Sequence, residues 1–428
     1  MQKLRIKNFG AISKGFEENN GFIEFSKATV FLGEQGSGKS TIAKLISTFL
    51  WIEKALHRGD FDCSELNVEI FVNKYLAWHS IESYLQEDSE IEFIGFTYSF
   101  LFQNKKFIVR KLDNSIFYQR PKISYISSER NFCSSIPRAE MISGLLHNLS
   151  LTIEDFQNAS EYIKATDLPI GNFSYRYDKN TKRKFISNKN HQEIQLYEAA
   201  SGIQSLTPLY LITKYYSDVS LQFLDTDIAL LSVEQKKQIR KIVDDWLKKY
   251  DTNIKTKSNF TFQILKMAGI LNVELENKES TNASVLELEN NIFGIVNSCF
   301  INIVEEPEQN LYPNSQKAIM EFLFHSLQHQ GNRLIFTTHS PYVLGTVNNC
   351  LYAGNLMHKK LDVTSIIDKE KCLKPEELRA YFIENGKIVS AFDEELGQIN
   401  HDLIDGCSRE INEIYEKLSD VEFNNENQ

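Results

Sequence analysis

The chain has 428 residues, 42% hydrophobic and 24% charged, with a formal net charge of -10. That balance is ordinary for a globular protein, and the length predicts one large domain with insertions, or two domains. No run of eighteen apolar residues occurs, and Met1-Gln2-Lys3-Leu4-Arg5-Ile6 lacks the apolar core of a leader peptide. A cytoplasmic chain with no membrane partner is therefore expected.

In chain order, residues 4–9 and 22–25 read as short strands, and Ala28-Thr29-Val30-Phe31-Leu32 as a buried one. Next comes Gly33-Glu34-Gln35-Gly36-Ser37-Gly38-Lys39-Ser40-Thr41, then a helix with Ile42, Leu45, Ile46, Phe49 and Leu50 on one face. The nine-residue stretch matches G-x-x-x-x-G-K-[ST], a phosphate-binding loop. Glycines let backbone N–H groups approach phosphate oxygens, and the helix N-terminus adds partial positive charge. Lys39 adds a full charge, and the Ser40 hydroxyl can ligate Mg²⁺.

Residues 91–100 and 106–111 alternate like an antiparallel pair, and 123–126 read as a strand leading to Ser127-Ser128-Glu129-Arg130. A helix is expected over 139–166, a hairpin over 173–187, and helices over 202–216 and 233–250. Strands are expected at 260–265, 273–276, 300–304 and 333–337, with a helix at 315–329 that makes the last two a βαβ unit. Strands at 380–383 and 387–391, a helix over 399–418 and a polar tail complete the pattern. Cys63, Cys133, Cys299, Cys350, Cys372 and Cys407 show no C-x-x-C pairing and read as reduced thiols.

Three later motifs bear on chemistry. Ile301-Asn302-Ile303-Val304-Glu305-Glu306-Pro307-Glu308 is an apolar strand ending in carboxylates. Glu305 is assigned to the Mg²⁺ shell and Glu306 to the attacking water. In Thr338-His339-Ser340-Pro341, after the next strand, His339 is placed to sense a γ-phosphate. Ala200-Ser201-Gly202-Ile203-Gln204 opens a helix whose first N–H groups form an anion site, with Ser201 read as its cap.

Together these parts resemble the ABC-type ATPase head of the SMC, DNA-repair and OLD-like families, in that family's order. The resemblance implies an α/β P-loop NTPase fold, a mixed sheet plus antiparallel N-terminal strands, with a helical insertion lobe. The divisions it suggests are 1–135 and 299–345 for the two halves of the head. Residues 136–298 would be the lobe, and 346–428 a C-terminal extension. It implies ATP and Mg²⁺ as cofactors and a phosphate site built from Gly33, Glu34, Gln35, Gly36, Ser37, Gly38, Lys39, Ser40 and Thr41. Asn8 and Phe9 become candidates for adenine contact, and Ser201, Gly202 and Gln204 a signature that completes the ATP site of a second copy. Ser127-Ser128-Glu129-Arg130 falls where the family carries its Q-loop, without the glutamine, and Glu308 and Asn310 in the region that faces the partner subunit.

No sustained heptads lie between Ser40 and Glu305, so a coiled-coil arm is not expected. After His339 there is Asp393-Glu394-Glu395 but no strand-borne Asp-x-Asp, so no Toprim nuclease is read. What remains is similar to stand-alone bacterial ATPases of anti-phage defence, which act with a separate effector such as a nuclease. The expected function is an ATP-driven, head-to-head homodimerising switch. The alternatives are an ATP-dependent DNA-repair clamp, with DNA as partner through Lys179, Lys182, Arg183, Lys184 and the basic helix at 236–249, and a scaffold with a vestigial ATPase.

Overall fold

Alternating apolar side chains along five parallel strands build the centre of the molecule. The computed structural model describes residues 1–113, 118–188, 191–225, 233–249, 254–256, 273–275, 288, 299–329, 331–400, 403, 413, 414 and 416–418. Strands β1 (Lys3–Phe9), β2 (Gly15–Phe16), β3 (Phe22–Glu24) and β4 (Ala28–Gly33) precede helix α1 (Lys39–Arg58). Strands β5 (Leu85–Ile94), β6 (Tyr98–Gln103), β7 (Lys106–Lys111) and β8 (Pro121–Ile126) lead to helix α2 (His147–Ile163).

Four short strands follow: β9 (Ala165–Asp167), β10 (Phe173–Asp178), β11 (Arg183–Asn188) and β12 (His191–Gln195). Helices α3 (Ser201–Asp225) and α4 (Val233–Leu247) come next, then the parallel pair β13 (Ile254–Thr256) and β14 (Val273–Leu275). The chain returns through β15 (Cys299–Glu305), α5 (Pro313–His325), β16 (Arg333–Thr338), α6 (Pro341–His358), β17 (Leu378–Glu384) and β18 (Lys387–Ser390).

The main sheet has the order β2-β18-β17-β4-β16-β15-β8. From β17 to β8 every neighbouring pair is parallel, and β18 turns back antiparallel on β17. Parallel strands covered on both faces must be apolar on both, and these are. Val30, Leu32, Val304, Leu334 and Phe336 point into one core, beneath α3, α5 and α6. Phe31, Ile301, Ile303 and Ile335 point into the other, with α1. A second, antiparallel sheet, β3-β1-β5-β6-β7, covers the far side of α1. Phe49 of α1 stacks on Phe71 and Phe93 there, at centroid distances of 5.7 and 5.2 Å. The architecture is thus the expected mixed α/β P-loop fold with an antiparallel N-terminal sheet.

Several elements differ from the sequence expectation. The strand over 91–100 is two strands, β5 and β6, parted at Gly95. A Cβ at Gly95 would sit 2.2 Å from the Glu53 carboxylate of α1, so a buried side chain from another element occupies that space. The helix expected over 139–166 starts at His147, because Gly144 (φ 78°) and the extended Leu146 cannot continue a helix. The segment expected as a helical lobe is not purely helical: β9 to β12 form a four-stranded antiparallel sheet. Helix α6 has no counterpart in the sequence pattern; Ser340 caps it by accepting from the amides of Tyr342 and Val343. The strand expected at 260–265, the 420–428 tail and most of the 399–418 helix lie outside the described residues. Among the described residues, no helix is long and apolar enough to cross a membrane.

Candidate functional site

The candidate site forms where β4, β16 and β15 end, at the carboxyl edge of the parallel sheet, the usual ligand edge of open α/β folds. The loop between β4 and α1 is held in a conformation that needs glycine. Gly33 has φ 143°, and a Cβ there would lie 2.4 Å from the Ile383 carbonyl oxygen. Gly38 has φ 108° and lies against Ile12. Glu34, Gln35 and Gly36 are exposed, Ser37 and Ser40 half-buried, and Thr41 buried. Lys39 opens α1 and turns back over the loop, its ammonium donating to the carbonyls of Gly33 (2.8 Å) and Glu34 (2.7 Å). Burial lowers the Lys39 pKa below the ordinary lysine value, against the pull of Glu306, Glu308, Glu305 and Glu34. The loop lysine and the acid strand therefore share one electrostatic site.

Glu305, at the end of β15, is 3% exposed. Its Oε1 accepts from the Tyr125 hydroxyl at 2.5 Å and its Oε2 from the Ser128 amide at 3.1 Å. Burial and the Glu305 charge raise the Tyr125 pKa well above the ordinary phenol range, so the hydroxyl remains a donor. Glu306 follows with φ 44°, a left-handed conformation that is uncommon outside glycine and costs free energy. Its amide donates to the Thr337 carbonyl at 3.0 Å.

Arg130 explains how that turn is held. Its side chain is fully buried. It donates to the carbonyls of Glu305 (2.6 Å), Glu306 (2.6 Å), Ser127 (3.2 Å) and Ser205 (3.2 Å). Burial lowers its pKa to about 10, with Glu308, Glu306 and Glu305 opposing, so it is charged at neutral pH. In sequence, this segment is marked only by its lack of a glutamine. A lone arginine after an apolar strand is an inconspicuous signal, because its partners are main-chain atoms far away in the chain.

His339 lies between two carboxylates. Its Nδ1 is 3.7 Å from Glu306 Oε1 and 3.6 Å from Glu308 Oε1, and its side chain is 52% exposed. Glu308 is buried; its Oε1 accepts from the Thr338 hydroxyl (2.6 Å) and the His339 amide (3.0 Å), while its Oε2 is buried with no partner. Burial raises the Glu308 pKa above the ordinary value.

The segment over 200–204 is tied to the same turn. A Cβ on Gly202 would come within 2.6 Å of the Asn310 carbonyl oxygen, so only glycine allows that approach. Asn310 itself has φ 60°. Ser201 is exposed but is not the cap: the amides of Ile203 and Gln204 both donate to the Ala200 carbonyl, which makes Ala200 the cap and Ser201 the first helical residue. Gln204 turns inward and donates to the Tyr197 carbonyl at 2.8 Å.

The adenine candidates are placed differently from the expectation. Phe9 is fully buried against Tyr84, with ring centroids 5.9 Å apart, and offers no face to a ligand. Asn8 donates to Asp88 at 2.7 Å, across to β5. The chain that does reach the phosphate loop is Ala11 and Ile12, beside Gly38. Of the basic segment, Lys179, Lys182 and Arg183 are exposed, whereas Lys184 turns in to Gln157 and the Phe156 ring. Among the described residues of α4, Lys237, Arg240 and Lys241 are exposed.

A strand–glycine loop–helix unit, flanked by an acid-tipped parallel strand and a histidine turn, defines a P-loop nucleotide-binding domain of ATPase type. A family model described as "AAA domain, putative AbiEii toxin, Type IV TA system" matches residues 302–345, from the acid strand into α6. Among solved structures the chain is similar to the SMC head domain from Thermotoga maritima, at 12% identity over 91% of this chain and 97% of that one, TM-score 0.35. It is similar to an Smc head with an extended coiled coil bound to the C-terminal domain of ScpA from Pyrococcus furiosus (10% identity, 91% and 96% coverage, TM-score 0.39). An ATP-binding cassette dimer in a post-hydrolysis state bound to ADP and phosphate is similar at 10% identity, 91% and 98% coverage and TM-score 0.27. No curated protein matches the chain.

Proposed function

We propose that this protein is an ATP-hydrolysing switch whose two copies close head to head on ATP and thereby control a separate effector in anti-phage defence. The carrying observation is the convergence of Lys39, Glu305, Glu306, Glu308 and His339 at one sheet edge, with mutual electrostatic influence. Lys39 exchanges its two loop carbonyls for phosphate oxygens. Glu306, 28% exposed, orients the attacking water and takes up its proton. His339, beside Glu306, reports the γ-phosphate.

Mg²⁺ fits the oxygen donors present. Each Glu305 oxygen accepts one hydrogen bond, which leaves lone pairs free on a carboxylate with about four acceptor sites. Ser40 and Glu305 would hold the ion, which supplies charge neutralisation at the phosphates. Among the described residues no group of three or more His, Cys, Asp or Glu side chains could hold a metal alone. That agrees with an ion that borrows ligands from phosphate.

The exposed Ser201 of one copy completes the site of the other. If ATP binds the closed pair much more tightly than the single copy, free ATP at about 100 times its closed-pair Kd favours closure by up to about 2.7 kcal/mol per site. Glu306→Gln should keep ATP binding and lower phosphate release by on the order of 10²–10⁴, while light scattering with ATP shows a persistent dimer. Wild-type turnover in that variant would refute the assignment. The exposed Lys179, Lys182 and Arg183 support the second reading, a DNA clamp. It predicts duplex binding that weakens steeply with salt.

A further inference from the structure

A second polar site lies away from the phosphate loop. A cavity of about 160 Å³ opens between the middle of α1, β8 and the start of α2, lined in part by Trp51, Lys54, Trp78, His79, Tyr125 and Asn148. Its charges do not balance. Asp155 is taken by Lys122 at 2.8 Å and by the Tyr216 hydroxyl at 2.5 Å. No hydrogen bond or ion pair reaches the Lys54 ammonium among the described residues. Burial and the neighbouring Lys122, Arg58 and Arg120 lower its pKa to about 7.

Two further groups lack partners. His79 is 7% exposed and its Nδ1 has none; the Asn148 Oδ1 is buried and has none. Buried polar atoms are normally paired, so the unpaired His79 nitrogen, on a cavity beside a lysine with no counter-charge, points to a ligand.

We propose that this cavity binds a compact oxyanion, the phosphate or carboxylate of a small molecule, and that its occupancy is felt at Glu305 through Tyr125. An oxyanion accepts from Lys54 and from His79 between apolar indole walls, where such bonds are strong. Burial lowers the His79 pKa to about 3, so the ring is neutral and one of its nitrogens carries a donor hydrogen. The Tyr125 ring lies 4.7 Å from the His79 ring, and its hydroxyl holds Glu305. A ligand that moves this ring changes the support of a residue assigned to the metal. The coupling half of the proposal rests on the ATPase reading; the binding half does not.

The test uses the full chain with Trp246→Phe, which leaves Trp51 and Trp78, both on the cavity wall, as its only tryptophans. Indole fluorescence is titrated with inorganic phosphate in one arm and acetate in the other. A saturable change is expected with one of them, and the arm that saturates identifies the chemistry. It should persist in Lys39→Ala and weaken about tenfold or more in Lys54→Met, the loss of one charge-assisted bond. Lys54→Met should unfold at the same or a higher temperature, because it removes an unpaired cation. A change that disappears in Lys39→Ala and survives in Lys54→Met would place the anion in the phosphate loop and overturn the proposal, as would no change in either arm. ATP turnover that responds to the anion in the wild-type chain, and not in Lys54→Met, is the expected coupling. Unresponsive turnover with intact binding overturns the coupling half. No turnover in any chain refutes the ATPase reading and leaves the binding result standing.

Discussion

Strand β16 begins beside one buried carboxylate and ends beside another, and the two are treated in opposite ways. At its start, Arg333 donates to Gln2, and Gln2 donates to Glu53 at 2.9 Å. The other Glu53 oxygen accepts from the Thr97 amide (2.7 Å), the Thr97 hydroxyl (3.2 Å) and the Tyr98 amide (3.3 Å). At its end, Thr338 donates to Glu308, whose second oxygen has no partner. Burial raises both pKa values. Glu53 is saturated and joins the N-terminus, α1 and two sheets, which is structural work. Glu308 keeps unused acceptor capacity beside His339 and Lys39, next to a turn held at positive φ. Fully satisfied buried networks rigidify a fold, whereas unsatisfied atoms and backbone strain gather where a ligand is handled.

Arg130 tests the comparison most severely. It stabilises the strained end as the Glu53 network stabilises the other. Arg130→Met would leave the carbonyls of Glu305, Glu306, Ser127 and Ser205 without these donors. Urea unfolding should show a loss on the order of 4 kcal/mol. Arg130→Lys should recover little, because a point donor cannot span carbonyls on three segments. A loss under about 1 kcal/mol for Arg130→Met would mean that the turn keeps its shape unaided.

The same conservative change at the two carboxylates sharpens the contrast. Glu53→Gln sets an amide group against the amide of Gln2, whose own carbonyl is held by Arg333. A loss of about 1–3 kcal/mol is expected. Glu308→Gln keeps an acceptor for Thr338 and His339 and removes a buried charge, so its cost at neutral pH should be smaller. The pH dependence has a definite sign. With its folded pKa raised, Glu308 favours the folded state most below its unfolded value, and that advantage fades as pH rises through the folded value. The Tm of Glu308→Gln relative to wild type should therefore rise with pH above the ordinary glutamate range. A difference that falls with pH would show that Glu308 is stabilised as a carboxylate.

This contrast also marks what the sequence could reveal. The strands of the parallel sheet, the loop helix and the acid and histidine turns are local patterns, visible because hydrophobic period and glycine spacing are written into consecutive residues. Arg130, Tyr125 and Glu308 act through atoms brought together only by the sheet, so no spacing announces them. Phe9 is a candidate for adenine contact in sequence and a core residue in space. The break at Gly95 is dictated by Glu53, which comes from a different element. Serine at Ser201 suits a cap position, yet the Ala200 carbonyl accepts the first helical bonds.

The smallest effect on stability is expected at Ser201, where the largest effect on assembly should appear. Ser201 is exposed, so Ser201→Arg should change stability by no more than about 0.5 kcal/mol. Gly202 beside it packs on Asn310, so the segment is presented rigidly next to the acid turn while its own serine faces solvent. An arginine there would block the approach of a second copy and leave Lys39 of the same chain untouched. Monomer ATP binding should persist, and the ATP-dependent dimer should vanish in light scattering, together with turnover. If Ser201→Arg still dimerises and hydrolyses ATP at the wild-type rate, the two sheet ends are equally structural in their own chain and the site is complete without a partner.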